Sequence, residues 1–189
     1  MRPQKLTPEQ ILNTCALQFK AHGYAATSMD MLAKACGLSK AAFYYYYPNK
    51  EALLLKVLEH THTYLKASVF AIAYSDDMSH FEPLLCFNQM HDKAVDFFSY
   101  QIKGCLVGIL SIESGHISEQ IVQKIREIFQ DWQLAFYQLF RHRLDENSAQ
   151  TLAKISIADY EGAILMYRLN HDLFYLDQVK MRILQALQP

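Results

Sequence analysis

The sequence predicts an all-α protein of about nine helices, and three observations lead to that prediction. Apolar residues recur at spacings of three and four along most of the chain, which is the period of an amphipathic helix. Helix-breaking residues are scarce, because the 189 residues include only six glycines and five prolines. From residue 49 to the penultimate residue, a single proline, Pro83, interrupts the chain. The chain is therefore expected to form consecutive helices joined by short turns.

The first helix begins with a capping box. Thr7 can accept a hydrogen bond from the backbone of Gln10, the Gln10 side chain can return it, and Pro8 suits the first helical position. An apolar stripe at helical spacing follows, formed by Ile11, Leu12, Cys15, Ala16 and Phe19. Gly23 then ends the helix.

A second, shorter helix follows Gly23. Thr27 and Ser28 offer its N-cap, and its apolar face is formed by Met31, Leu32 and Ala35. Gly37 is placed to adopt the left-handed conformation that ends a helix, and Leu38 is expected to fill the core beneath the turn.

The third helix is predicted over residues 40–47, with Ser39 as its N-cap and Pro48 at its end. A helix, a glycine-containing turn and a helix form the helix-turn-helix signature. Phe43 and Tyr47 lie four residues apart and can face the core, which leaves three aromatic side chains on the outer surface: Tyr44, Tyr45 and Tyr46. The alternative is an ordinary tyrosine-rich core helix.

The charge distribution favours nucleic acid as the partner of this N-terminal segment. Residues 1–50 carry six basic and two acidic side chains, a net charge of +4, while the remainder carries 12 basic and 17 acidic side chains, a net charge of −5. Exposed aromatic side chains beside Lys40 and Lys50 suit contacts with phosphates and thymine methyl groups. The near-neutral total of −1 thus conceals a basic head on an acidic body.

These motifs, taken together, resemble those of the TetR-type transcriptional repressors. The resemblance rests on an ordered series of residues: Thr27-Ser28, Leu32-Ala33, Cys36-Gly37-Leu38-Ser39-Lys40-Ala41, Phe43-Tyr44, Tyr46-Tyr47, Lys50-Glu51 and Leu53. Two positions depart from the family pattern, with Ala41 where glycine is common and Tyr47 where phenylalanine is common.

The resemblance implies that the partner is a double-stranded DNA operator and assigns roles to particular residues. Lys40, Ala41 and Ala42 are expected to lie at the base edges, with Tyr44 and Tyr45 close by. Phosphate contacts are expected from Ser28, Tyr46 and Lys50. Arg2 and Lys5 would touch the DNA backbone or minor groove, with an ordinary solvated tail as the alternative.

The rest of the chain is expected to form a second domain, so that residues 1–50 bind DNA and residues 51–189 bind an effector and dimerise. After a polar break at Ser75–Asp77, the later helices are predicted over residues 82–100, 105–114, 118–144, 148–170 and 173–187. Several residues resemble one subgroup of the family: Gly104-Cys105-Leu106, Glu113, Phe129, Trp132 and Glu161-Gly162-Ala163. The resemblance implies a homodimer formed through the last two helices.

The effector is unknown, and the candidate lining of its pocket is largely aromatic: Phe87, Met90, Phe97, Cys105, Trp132, Phe136, Tyr160 and Met166. For each of these residues, ordinary core packing is the alternative. Cys105 is also a candidate sensor of electrophiles or oxidants, because a helix start and Lys103 would favour its thiolate. The alternative is a buried structural cysteine.

Neither a cofactor, a metal site nor a catalytic constellation is expected, because no zinc, phosphate-binding, dinucleotide-binding or hydrolase motif occurs. No apolar run is long enough to span a bilayer and no signal-peptide pattern is present, so the protein is expected in the cytoplasm. A small helical enzyme and a passive helical adaptor are the rival classes, and the basic head argues against the adaptor.

Overall fold

The computed structural model describes residues 6–74 and 82–188. The expectations for Arg2, Lys5 and Ser75–Asp77 lie outside the described residues. Within those two ranges the chain forms nine α-helices, two short 3-10 turns and no strand, which confirms the all-α prediction. The helices are α1 Pro8–His22, α2 Met29–Ala35, α3 Lys40–Tyr46, α4 Lys50–Ser68, α5 Pro83–Ser99, α6 Leu106–Ile112, α7 Glu119–Phe140, α8 Glu146–Asn170 and α9 Phe174–Ala186. The 3-10 turns are Phe70–Ala73 and Ser114–His116.

The first three helices begin at the caps that the sequence predicts. Thr7 and Gln10 form both halves of the capping box of α1, with N···O distances of 2.8 and 3.2 Å. Ser28 accepts a hydrogen bond from the Met31 N–H at 3.2 Å and so caps α2. Ser39 caps α3 in the same way, at 3.3 Å from the Ala42 nitrogen. Each cap satisfies a backbone donor that has no partner within its own helix.

Glycines end α1 and shape the turn after α2. Gly23 has φ of 76° and Gly37 has φ of 64°, a region that glycine enters without the steric cost that a Cβ brings. The turn after α2 is closed by a hydrogen bond from the Leu38 N–H to the Ala33 carbonyl, at 2.9 Å. Leu38 itself is half-buried.

The described residues fall into two compact units. The first contains the residues up to Thr63 together with Leu106–Arg126, and the second contains Tyr64–Cys105 and the residues from Glu127 onward. The first unit therefore includes α6 and much of α4 in addition to the helix-turn-helix. The division at residue 50 that the sequence suggests stays a prediction.

The core of the first unit joins α1, α2, α3 and α4. Its fully buried members are largely apolar and come from all four helices: Cys15, Phe19, Leu32, Phe43, Leu53, Leu54 and Leu58. Helix α1 also packs on α6 within this unit. Helix α3 packs on α2 and contributes Phe43 to this core, which leaves its opposite face toward solvent.

The core of the second unit is aromatic and lies among α5, α7, α8 and α9. Helix α8 packs along α9, and small buried residues allow the close approach: Ala149, Ala153, Ser156 and Ala163. None of the helices that the structure describes combines the length and the apolar run that a membrane crossing requires.

Candidate functional site

Helix α3 divides its aromatic residues between the core and the solvent. Phe43 is fully buried, and its ring centroid lies 5.5 Å from that of the half-buried Tyr47. Tyr44, Tyr45 and Tyr46 are 40%, 84% and 62% exposed, which agrees with the predicted division. A large exposed aromatic surface on a seven-residue helix is costly unless a partner covers it. These three tyrosines are therefore the first candidates for contacts with a ligand.

The first turn of α3 adds a positive charge to this surface. Lys40 and Ala41 are exposed and Ala42 is half-buried. The Lys40 ammonium lies 2.9 Å from the Asp30 carboxylate on α2, and this hydrogen bond raises the pKa of Lys40. The ion pair is largely exposed, so it contributes little to stability and can be exchanged for a phosphate or a base edge.

Lys50 occupies a more enclosed position than the resemblance implies. Its ammonium donates to the backbone carbonyls of Tyr24 at 2.7 Å and Thr27 at 2.8 Å, and lies 4.0 Å from the centre of the Tyr24 ring. Burial lowers the pKa of Lys50, and the nearby Glu113 opposes that shift. An ammonium has three N–H groups, and Lys50 uses two of them to hold the α1–α2 loop. The third N–H group is not used by these two carbonyls.

A carboxylate holds the same loop from the opposite side. Glu113, which follows α6, accepts hydrogen bonds from the backbone N–H groups of Tyr24 and Ala25, the latter at 3.2 Å. A Cβ placed on Gly23 would lie 2.5 Å from the Glu113 Oε1 atom, so any other residue would force the Glu113 carboxylate to shift, in addition to the strain of a φ of 76°. The sequence offers Glu113 only through the subgroup resemblance, and its contact with a loop 88 residues away could not be foreseen.

In the second unit, four of the predicted pocket residues come together. The rings of Phe87, Trp132, Phe136 and Tyr160 form one buried cluster with centroid separations of 5.5 to 6.4 Å. Phe136 contacts each of the other three rings, and Trp132 also contacts Tyr160. The four rings are almost completely buried and pack on one another and on their neighbours.

A hydrogen-bonded pair lies within this aromatic cluster. The His91 Nδ1 atom lies 2.6 Å from the Tyr160 hydroxyl, and both side chains are buried. Burial lowers the pKa of His91 to about 4 and raises the pKa of Tyr160, so both side chains are neutral at pH 7. Sequence reasoning missed His91, although its place on the apolar face of α5, four residues after Phe87, was a usable signal.

The remaining pocket candidates have different surroundings. Met90 is buried and Met166 is half-buried. Phe97 is half-buried and stacks on Tyr64, with ring centroids 5.5 Å apart. It reaches the cluster indirectly, through Phe98, whose ring lies 5.6 Å from Phe97 and 5.6 Å from Trp132.

Cys105 is buried immediately before α6, and a carboxyl group is among its neighbours. Its thiol hydrogen-bonds the Glu161 side chain, and burial raises the pKa of Glu161 to about 7. The Lys103 ammonium lies 5.7 Å from the centre of the Tyr167 ring.

A surface groove of about 370 Å³ lies between α7 and the start of α8. Polar side chains at the groove include Asp131, Tyr137 and Glu146, although most of its lining surface is apolar, and none of the site residues predicted from the sequence lines it. The Tyr137 hydroxyl donates to Glu146 at 2.6 Å, so two of these groups already satisfy each other.

Two protein-family models match the chain. One, described as bacterial regulatory proteins of the tetR family, matches residues 11–57. The other, described as the C-terminal domain of LmrA/YxaF-like transcriptional regulators, matches residues 85–182, which is more than half of the chain.

Individual relatives agree with these matches. The chain is 29% identical over 168 residues to the uncharacterized HTH-type transcriptional regulator YxaF of Bacillus subtilis (strain 168), across 87% of this chain and 86% of that protein. It is 24% identical over 177 residues to the HTH-type transcriptional repressor DhaR of Mycobacterium sp. (strain GP1), across 90% of this chain and 87% of that one. Among solved structures, a TetR transcriptional regulator from Legionella pneumophila has the same fold, with a TM-score of 0.87, 22% identity and 100% of both chains covered.

Proposed function

This chain belongs to the TetR family of bacterial regulatory proteins, and from that premise we propose that it represses its target genes until an effector releases it from a palindromic operator. It is a transcriptional regulator with a helix-turn-helix DNA-binding domain and a C-terminal ligand-binding domain. The observation that carries the proposal is the exposed surface of α3, where three tyrosines and Lys40 face solvent. The cytoplasm, where the DNA is, is the proposed location.

The DNA contacts divide into two groups. Lys40, Ala41 and Ala42 lie in the first turn of α3 and would read base edges in the major groove, with Tyr44 and Tyr45 close by. Phosphates would be bound at the rim of this surface by three further residues: Ser28, Tyr46 and Lys50. Ser28 is exposed at the start of α2. Two hydrogen bonds hold the Lys50 ammonium to the α1–α2 loop, so one N–H group is left for a single hydrogen bond to a phosphate.

A homodimer through α8 and α9 would give the protein two such surfaces. Both helices expose large apolar side chains that solvent does not favour: Ile155, Leu165, Leu169, Phe174 and Met181. TetR family regulators act as dimers, and a two-fold axis would set the two α3 helices against half-sites one DNA turn apart, roughly 34–36 Å.

The effector is proposed to bind at the aromatic cluster of Phe87, Trp132, Phe136 and Tyr160. The neutral His91–Tyr160 pair supplies a donor and an acceptor but no charge, which favours an uncharged, flat, largely apolar molecule. Release from DNA requires that this molecule prefer the dimer whose α3 helices are wrongly spaced. By reciprocity, operator DNA must then weaken effector binding.

Modification of Cys105 is the second proposed signal, and the burial of its thiol limits which reagents can reach it. Because Cys105 is buried beside Glu161, a reagent must reach an enclosed thiol. The test compares the Cys36→Ala protein with the Cys36→Ala, Cys105→Ser double variant in N-ethylmaleimide. If both lose DNA binding equally, Cys105 is not the sensor.

Selection of binding sites from a randomised duplex library tests the proposed function. The protein should recover a palindromic consensus, bind it at least ~1,000-fold more tightly than a scrambled duplex, and lose affinity steeply as salt rises. Equal affinity for both duplexes would contradict the proposal. Indifference to DNA at low salt would return attention to a helical adaptor or a small helical enzyme.

A further inference from the structure

Two buried cysteines are in contact inside the DNA-binding head. Cys15 lies in the middle of α1 and Cys36 is the C-cap of α2, and their Sγ atoms are 3.9 Å apart. Both thiols are free in the structure. A disulfide has an S–S length of about 2.05 Å, so the two sulfur atoms need to approach by roughly 2 Å to form one.

We propose that a hydroperoxide oxidises Cys15 and Cys36 to an intramolecular disulfide, and that this bond weakens DNA binding by displacing the turn before α3. A bond between these residues would connect α1 to Cys36, which lies four residues before the start of α3. This site is separate from Cys105, which lies in the second unit.

Cys36 is the thiol that meets the oxidant first. It is 4% exposed, whereas Cys15 is completely buried, and it precedes Gly37, which is exposed. Either sulfur can donate in the contact between the two thiols, and the Cys36 thiol also lies 4.0 Å from the Ile11 carbonyl oxygen. The order of the two reactions therefore follows from the greater exposure of Cys36.

The reaction balances in two steps. In the first, the Cys36 sulfur attacks the terminal oxygen of the hydroperoxide, the O–O bond breaks, and an alcohol leaves with the proton of Cys36. In the second, the Cys15 sulfur attacks the resulting Cys36 sulfenic acid, the S–O bond breaks, and the hydroxyl leaves as water with the proton of Cys15. Two thiols and one hydroperoxide thus give one disulfide, one alcohol and one water.

The position of Cys36 makes the disulfide consequential for α3. Its backbone N–H donates to the Leu32 carbonyl at 3.0 Å and ends α2, and the next residues form the turn closed by Leu38 and Ala33. Helix α3 starts at Lys40, four residues after Cys36. Because the surrounding core is packed, the approach of the two sulfur atoms has to be met by a shift of α1 against this turn.

The first test is chemical and uses no DNA. The intact wild-type protein is treated with tert-butyl hydroperoxide, alkylated while unfolded, digested without reduction and examined by mass spectrometry. A cross-linked peptide pair containing Cys15 and Cys36, lost on reduction, is expected. Free thiols at both positions, or a sulfinic acid at Cys36 with Cys15 still free, would overturn the proposal.

The second test measures affinity for the operator selected from the duplex library, so this half of the proposal rests on the proposed function. Oxidation should lower the affinity of the wild type at least ~10-fold, and dithiothreitol should restore it. Cys15→Ala and Cys36→Ala should each abolish the response, while the matched control Cys86→Ala should keep it. A cross-link that forms without changing affinity would refute the regulatory role, whereas failure to select any operator would refute the proposed function instead.

Discussion

The two units of the molecule differ in the polar groups that they place at the proposed sites. In the first, the side chains that cap helices, hold the α1–α2 loop or lie exposed on α3 are matched by backbone groups or solvent, although the unit also buries Lys20, Thr27, Thr61 and His62. In the second, His91, Tyr160 and Glu161 are enclosed among aromatic and apolar side chains, and their pKa values are shifted toward the neutral forms. The first unit is thus suited to a polyanion, and the second to an uncharged ligand.

The largest expected effect comes from reversing the charge of the α3 surface. Lys40→Glu places a carboxylate beside the phosphates and next to Asp30, so affinity for the selected operator should fall about 100-fold, as expected for loss of a specific contact with added repulsion. Fluorescence anisotropy measures this loss. Thermal stability should change little, because the Lys40–Asp30 pair is exposed.

Lys56→Glu is the matched control for that substitution. Lys56 is exposed on α4 and pairs with Glu59 at 2.8 Å, so its reversal changes the net charge equally without altering α3. If both variants lose affinity equally, the effect is one of overall charge and the assignment of α3 fails.

A smaller effect, on stability, is expected at the α1–α2 loop, which Lys50 and Glu113 hold by hydrogen bonds. Glu113→Gln keeps the size of the side chain but replaces a charged acceptor of two backbone N–H groups by a neutral one. Charge-assisted hydrogen bonds contribute about 1.5–3 kcal/mol, so the free energy of unfolding should fall by ~1–2 kcal/mol. Urea unfolding measures it.

The comparison for Glu113 is another glutamate of the same unit. Glu119 pairs with Arg126 at 2.6 Å at the exposed start of α7, so Glu119→Gln should cost at most about 0.5 kcal/mol. Equal losses in the two variants would mean that Glu113 does no more than an ordinary surface carboxylate.

The smallest expected effect is a change in how stability depends on pH. The pKa of Glu161 is raised from 4.5 to about 7, so the folded state binds more protons and wild-type stability falls as pH rises through that interval. Glu161→Gln should remove this loss, which makes the variant ~1–2 kcal/mol more stable than the wild type at pH 8 and nearly equal to it at pH 4. Urea unfolding across this pH range checks the difference.

In the same experiment, His91→Gln should change the pH dependence of stability in the opposite direction. The pKa of His91 is lowered from 6.5 to about 4, so its contribution to stability is lost as pH falls through that interval. The free energy of unfolding of the variant should therefore rise relative to that of the wild type as pH falls, rather than as pH rises. A pH profile for Glu161→Gln that matches the wild type would show that this carboxyl is not held neutral by the fold.

The sequence predicts the first unit far better than the second because its signals are local. One local prediction is wrong: the buried face of α2 consists of Met29, Leu32 and Ala33, whereas the expected Met31 and Ala35 are exposed. The caps at Thr7, Ser28 and Ser39 and the two faces of α3 depend on residues three or four apart, and the structure agrees with each of them. The likeness of the motifs to a known family then supplies the roles of the exposed side chains.

Contacts between residues distant in sequence were beyond such reasoning. Glu113 reaches a loop nearly 90 residues away, His91 meets Tyr160 across 69 residues, and Cys15 meets Cys36 across 21. Each residue type has an ordinary local explanation, as a surface carboxylate, a helical histidine or a small core residue. Only the packing of helices brings the partners together and gives them a chemical role.

The claim that paired α3 helices read the operator is tested most directly by hydroxyl-radical footprinting on the selected duplex. Two protected segments related by a two-fold axis, with centres about one helical turn or ~10 base pairs apart, are predicted, and Lys40→Glu should remove both together. A single protected segment, or two segments that persist in the Lys40→Glu variant, would contradict it.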